Sequence, residues 1–169
     1  METKITMAFT MDSGAGVRKH GLIPWDTSEP SKIRLAETEG KVCISSLETF
    51  VIMTNALGSA LMEEVLKKRI AFVVSDEVLN IPNVNTVNSF EDGVEKGKVF
   101  GKEVMILGST DMYWEVNHLL DEVKFVMMPD VYDCDTTIEQ QIDHIEKHFK
   151  VYDMQFTPSG IKHITYRRA

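Results

Sequence analysis

The sequence predicts an α/β fold: a central, mostly parallel twisted sheet with flanking helices, ending in an antiparallel edge hairpin. Three observations carry that prediction. Apolar runs of strand length, Ile70–Ser75 the clearest, alternate with stretches whose apolar residues recur at helical spacing. Several of those runs are almost continuously apolar, as strands covered on both faces are. The chain closes with Val151–Thr157, a Pro158-Ser159-Gly160 turn and Ile161–Arg167, which reads as a hairpin.

Taken in order, Ile5–Met11 reads as a strand and Asp12–Gly21, with its three glycines, as a loop. Pro30–Glu39 is expected to be a helix, with Ser28 or Glu29 as its cap and Pro30 at its first position. Lys41–Ser45 is a short buried strand. Leu47–Lys68 carries Phe50, Leu57, Leu61 and Val65 at near-helical spacing, and Gly58 is the point at which it is expected to break. After the Ile70–Ser75 strand, Asn80–Asn85 is a loop leading to a short strand near Thr86–Val87. Ser89 caps a helix that starts at Phe90. Glu103–Leu107 is a strand, Gly108-Ser109-Thr110 opens a helix over Asp111–Leu120, and Val123–Met128 is a strand. Ile138, Ile142, Ile145 and Phe149 form an amphipathic pattern that reads either as a helix or as a long loop with coincidental spacing.

Composition bounds the function. The 169 residues make a single domain, 1–169, with a hydrophobic fraction of 43% that excludes a disordered chain. No apolar stretch is long enough to span a membrane. The net charge of −8 argues against nucleic acid and anionic membranes as partners. Cys43 and Cys134 cannot make a disulfide framework, and the N-terminus has no apolar signal core. A cytoplasmic protein acting on a small molecule is expected, as a monomer or a homodimer.

In such sheets ligands sit beyond the carboxyl ends of the strands. Two junctions fit: Ile44 to Thr49, and Met105 to Tyr113. Each ends a strand in small residues, so that free N–H groups and a helix dipole face outward; each suits an anion, and each equally suits ordinary Ser/Thr capping. His144 and His148 have a metal-binding spacing without a third ligand, and a solvated helix face explains them as well. No metal site is expected. Nucleophilic catalysis lacks its Gly-x-Ser-x-Gly or Cys/His signature.

Read together, these segments resemble dihydrofolate reductase over nearly the whole chain. The first strand, Asp12, the Gly-rich loop and Gly21-Leu22-Ile23-Pro24-Trp25 resemble that family's strand, active-site loop and Pro-Trp. Val42 to Phe50 resembles its strand and cofactor-binding helix start, and Val104 to Tyr113 its Ile-Gly-Gly…Tyr segment. Asp133-Cys134-Asp135-Thr136 and Ile164 to Arg168 follow its late Gly-Asp-Thr and terminal strand.

The resemblance implies hydride transfer from NADPH to the C=N bond of dihydrofolate, giving tetrahydrofolate in one-carbon metabolism and nucleotide biosynthesis. It implies Met7, Ala8 and Ile23 around the substrate, with Leu107 and Tyr113 beside the nicotinamide. Ser46, Thr49, Ser75, Gly108, Ser109 and Thr110 are implied as cofactor contacts, and Trp25 as the residue that steadies the loop and a water. Trp25 also suits a packing role alone.

Several positions depart from the family pattern. Its active-site carboxylate falls on Pro30; Glu29, one residue away, is the catalytic acid that a one-residue slip would supply, or else an exposed cap. Ser31 and Arg34 stand where an apolar pair is usual, Arg34 as a partner for an anionic substrate, and Lys68 replaces the arginine that grips the folate tail. Leu47-Glu48 and Ser75-Asp76 stand where Arg and Ser meet the cofactor's 2′-phosphate, so NADH becomes a candidate beside NADPH. Gly108-Ser109 replaces a Gly-Gly pair usually joined by a cis peptide, a bond that costs about 3–4 kcal/mol outside proline. The alternatives are a reductase of the same fold acting on another pterin or pyrimidine, and an inactive binding or structural domain.

Overall fold

The computed structural model describes residues 3–108 and 110–169, in the order β1 (Ile5–Met11), β2 (Gly16–Arg18), α1 (Ser28–Thr38), β3 (Val42–Ser46), α2 (Leu47–Leu57), α3 (Ser59–Lys67), β4 (Ile70–Val74) and β5 (Val84–Val87). Then come α4 (Phe90–Lys98), β6 (Val104–Leu107), α5 (Met112–Val116), a 3-10 turn at Asn117–Leu119, β7 (Glu122–Met127), β8 (Thr136–Thr137), α6 (Glu139–His148), β9 (Phe149–Phe156) and β10 (Lys162–Arg168). Among the described residues these strands form an eight-stranded sheet, β5-β4-β3-β6-β1-β7-β10-β9, and a separate β2-β8 pair. From β5 to β7 the pairing is parallel; β10 runs antiparallel to β7 and to β9. The α/β fold with an antiparallel C-terminal edge is thus the one the alternating runs predict. No helix among the described residues is long and apolar enough to cross a membrane.

Local chemistry places the helix ends. Ser46 and Ser89 each accept a hydrogen bond from the N–H three residues on, Thr49 and Asp92, capping α2 and α4. Gly58, at φ +82°, does break the long helical run, ending α2 and starting α3 in a conformation that favours glycine. Three expectations need correction. Helix α1 begins at Ser28, two residues before Pro30, with Thr27 rather than Ser28 or Glu29 at the cap position and without a side-chain cap bond; just ahead of it Asp26 Oδ1 accepts from Ser28 N at 2.9 Å. The loop after Asp12 contains β2, which finds its partner in β8, a contact no local pattern announces. The helix expected over Asp111–Leu120 is the short α5 followed by a 3-10 turn. The Ile138–Phe149 pattern is a true helix, α6.

Side chains alternate across the sheet and so divide the interior. Met7, Phe9, Ile44, Ile106 and Phe125 face one side, packing in the main core with Val94 of α4 and Ile145 of α6. Ala8, Cys43, Met105 and Leu107 face the other, toward Met53 of α2. At the amino end of β7 the buried Glu122 carboxylate is satisfied by Arg167 Nε at 3.0 Å and Lys4 Nζ at 3.4 Å. An unpaired charge there would be costly.

Helix α4 approaches β3 and β6 through Gly93 and Gly97. A Cβ on Gly97 would lie 2.8 Å from Val42 Cγ1, closer than packing allows. Gly97→Ala gains helix propensity of about 1 kcal/mol yet overpacks at about 1–3 kcal/mol. Net destabilisation is expected, read as a lowered urea midpoint with unchanged slope; a raised midpoint would show that α4 moves away freely.

Candidate active site

β1 outlasts β6. Their register ends at the Ala8–Leu107 pair, while β1 continues to Met11 against β7. Beyond Leu107, no strand among the described residues lies beside that edge of β1, and a cleft of about 380 Å³ opens there. Ala8, Thr10 and Leu107 form its floor. Pro30, Ser31, Arg34 and Leu35 of α1 form one wall, and Thr49, Ile52, Met53 and Ala56 of α2 the other. Those α2 positions recur at i, i+3, i+4 and i+7, one face of a helix. The roof is the strap between β1 and α1, through Val17, Arg18, Ile23 and Trp25.

Asp12 holds that strap in place. Its side chain is almost wholly buried and accepts four hydrogen bonds. Oδ1 takes the N–H groups of Gly14 and Gly16, both at 2.8 Å; Oδ2 takes Tyr132 N at 3.0 Å and the Cys134 thiol at 3.5 Å. Burial pushes this carboxyl up, but the N–H groups of Tyr132, Gly16 and Gly14 and the Cys134 thiol together hold it below its ordinary value. The approach at Gly16 is so close that a Cβ there would sit 2.5 Å from Cys134 Cβ. The β2-β8 ladder and a hydrogen bond from Asp135 N to Arg18 O tie the strap to the same segment. Trp25 packs with Val126, Met128 and Ile161, beside Tyr132.

The charges of the cleft are divided. At the α1 end, Arg34 Nη1 pairs with Glu37 at 2.6 Å, and Nη2 donates to Phe9 O at 2.8 Å and Thr10 Oγ1 at 3.2 Å. Burial lowers the Arg34 pKa, opposed by Glu37. At the other end stand the acids Glu48 and Asp111, with Arg18 on the strap. Burial likewise lowers Arg18, opposed by the charges of Glu48 and Cys134.

Of the residues singled out in the sequence, the structure brings Ala8, Ile23, Trp25, Arg34 and Leu107 into the cleft, with Thr49, Gly108 and Thr110. Ser109 lies outside the described residues. Others stand elsewhere. Met7 is one residue from Ala8 and therefore on the opposite face, in the main core. Tyr113 is fully buried on that same face, where its hydroxyl shares a 2.6 Å hydrogen bond with His144 Nδ1; burial pushes it up to about 12, with Arg168 opposing. Glu29 does not line the cleft: the Ser159 hydroxyl, in the β9–β10 turn, donates to its Oε1 at 2.8 Å. One helical step separates Glu29 from Pro30, and it is Pro30 that faces inward.

Lys68 is exposed at the end of α3, and its neighbour Arg69 is the side chain that reaches α1, donating from Nε to Thr38 Oγ1 at 2.8 Å. The Ser46 hydroxyl is committed to capping Thr49, and Ser75 Oγ accepts from Glu77 N at the carboxyl end of β4. Ser31, noted in the sequence beside Arg34, also lines the cleft, whereas sequence reasoning missed Thr10 and Arg18. Period two from Ala8 would have found Thr10; nothing local marks Arg18, whose position depends on the β2-β8 pairing.

No family model and no curated protein matches this sequence. Among solved structures, a dihydrofolate reductase from Enterococcus faecalis, complexed with NADP(H) and RAB-propyl, superposes with a TM-score of 0.71 at 16% identity, covering 98% of this chain and 96% of that one. The chain therefore has the dihydrofolate reductase fold, as the sequence motifs implied.

Asp12 supplies a test of the strap. Because its folded pKa lies below the ordinary 3.8, its stabilisation is complete above the unfolded value and is lost as pH falls through the folded one. Asp12→Asn should cost roughly 2–4 kcal/mol at neutral pH. The gap from wild type should close as pH drops below about 4. Urea titrations across pH check this, and a gap independent of pH would mean that the charge is immaterial.

Proposed function

We propose that this chain is a nicotinamide-dependent reductase that delivers hydride to a C=N bond of a small planar heterocycle held in the cleft, with dihydrofolate as the reference substrate. The cleft carries the reading: it is a roofed slot at the carboxyl ends of β1 and β6, in a fold shared with a reductase solved in complex with NADP(H). The thiols of Cys43 and Cys134, both free, suit a reducing cytoplasm.

The residues present fit the nicotinamide half of such a cofactor. Ala8 and Leu107 offer a flat apolar floor, and Thr49 and Thr110 offer hydroxyls near the start of α2 and after β6. They fit a 2′-phosphate poorly, since Glu48 lies in the first turn of α2 and Asp76 follows β4, whose Val74 pairs with Ser46. A dinucleotide with a free ribose hydroxyl suits these acids better, as NADH does. The bound nicotinamide supplies the hydride. The chain's own groups do the rest: Ile23 and Trp25 close the roof against bulk water, and α1 and α2 hold the heterocycle edge-on.

The protonation step has no carboxylate. Pro30 has no proton to give, and Glu29 is engaged by Ser159. The indole N–H of Trp25 has no protein partner among the described residues, and Trp25 lines the cleft. We take it to orient the water from which the substrate nitrogen draws its proton. Pro30 together with Arg34 favours a second reading, a substrate other than dihydrofolate; failure of any reduced nicotinamide to bind would leave the inactive binding domain.

Two experiments bear on this. Titrating Trp fluorescence with each nucleotide should give NADH at least the affinity of NADPH, and Glu48→Gln with Asp76→Asn should shift the ratio toward NADPH by about fivefold. A clear NADPH preference in the unaltered protein would refute the role given to the acids. Glu29→Gln should leave turnover, followed by loss of reduced-nicotinamide absorbance, within about twofold; a collapse of turnover would return Glu29 to the mechanism.

A further inference from the structure

Arg34 changes what the floor of the cleft can recognise. A guanidinium carries five N–H donors. One on Nη1 goes to Glu37, and Nη2 donates to Phe9 O and Thr10 Oγ1. The Nε–H and the second N–H of Nη1 have no protein partner among the described residues. Nε is not sealed from solvent, since among the described residues the buried side-chain polar atom without a partner is His163 Nε2, and 12% of the Arg34 side chain is exposed. Arg34 lines the cleft, so its unpartnered N–H groups are what it has left to offer a ligand there.

The same side chain is held against the floor. Nη2 donates at 2.8 Å to the carbonyl of Phe9, a residue paired with β7, and at 3.2 Å to Thr10 Oγ1. Around it stand the hydroxyls of Thr10, Thr27 and Ser31, and the bare ring of Pro30. The acids that line the cleft, Glu48 and Asp111, belong to its other end, and the Glu37 carboxylate is bound up with Arg34. A heterocycle whose edge carries amino groups would set donor against donor here. One whose edge carries oxo groups or a carboxylate would meet those donors with acceptors.

We propose that the cleft recognises a hydrogen-bond-accepting, anionic planar heterocycle, an oxo-pyrimidine or oxo-pteridine bearing a carboxylate, through the Arg34 guanidinium and the hydroxyls of Thr10 and Ser31. This rests on the cleft being the substrate site of the proposed reductase, and it makes Arg34 the residue that determines specificity. Glu37 then acts as a positioning residue that fixes the plane of the guanidinium.

The test is calorimetric titration, without nucleotide, with 2,4-dioxopyrimidine-6-carboxylate and with 2,4-diaminopyrimidine. The dioxo acid is expected to bind about tenfold tighter or more. Arg34→Leu combined with Glu37→Leu, which strands neither charge, should bring the two ligands to near parity while circular dichroism shows the fold intact. Arg34→Lys, a charge without the fork, should lose part of the preference. The proposal is overturned if the diamine binds equally or better, if neither ligand binds, or if the folded double variant keeps the preference. Should the double variant not fold, an unchanged preference in Arg34→Lys overturns it. Reduced-nicotinamide binding is measured separately, so its absence would sink the reductase reading without altering this result.

Discussion

A buried carboxylate at the end of the central strand governs the architecture of the site. Asp12 follows β1 directly, and its two oxygens take hydrogen bonds from the strap on one side and from Tyr132 and Cys134 on the other. A buried anion must be satisfied or it destabilises the fold, so the chain on both sides is drawn to it. The strap thereby becomes a roof rather than a loose loop. Near the knot the β2-β8 ladder holds Val17 and Arg18, and farther along the strap Trp25 is held by Val126, Met128 and Ile161.

Below the roof, the decisive feature is the mismatch in length between β1 and β6. Where β6 stops, an edge of β1 is left with polar backbone groups that must find partners. Arg34 of α1 reaches across to this floor, donating to Phe9 O and Thr10 Oγ1, and so places a cation in the cleft. The cleft is consequently polar in a definite sense. Donors gather against α1, and acids gather where α2 begins and β6 ends.

The site was partly legible in the sequence. Strand ends and helix starts, such as Leu107-Gly108 and Thr49, lie in the cleft because the parallel strands from β5 to β7 have their carboxyl ends on one side. Which neighbour of two faces the ligand was less legible. Met7 and Ala8 differ by one strand residue, Glu29 and Pro30 by one helical step, and in both pairs the second faces inward. Motif alignment tolerates a slip of one residue; a strand or a helix does not, because its period assigns adjacent side chains to different faces.

What the sequence determined by itself is local or periodic: the alternation of strands and helices, the parallel sheet with its hairpin edge, the break at Gly58 and the caps at Ser46 and Ser89. These follow from propensity, capping and hydrophobic period, all of which act within a few residues. What only the tertiary structure decided joins distant segments: the β2-β8 ladder, Asp12 with Tyr132 and Cys134, Glu29 with Ser159, and Tyr113 with His144. Those contacts settle where each polar side chain spends its hydrogen bonds. A donor or acceptor can take any partner the fold brings within about 3 Å, and no local pattern of residues specifies which one that is.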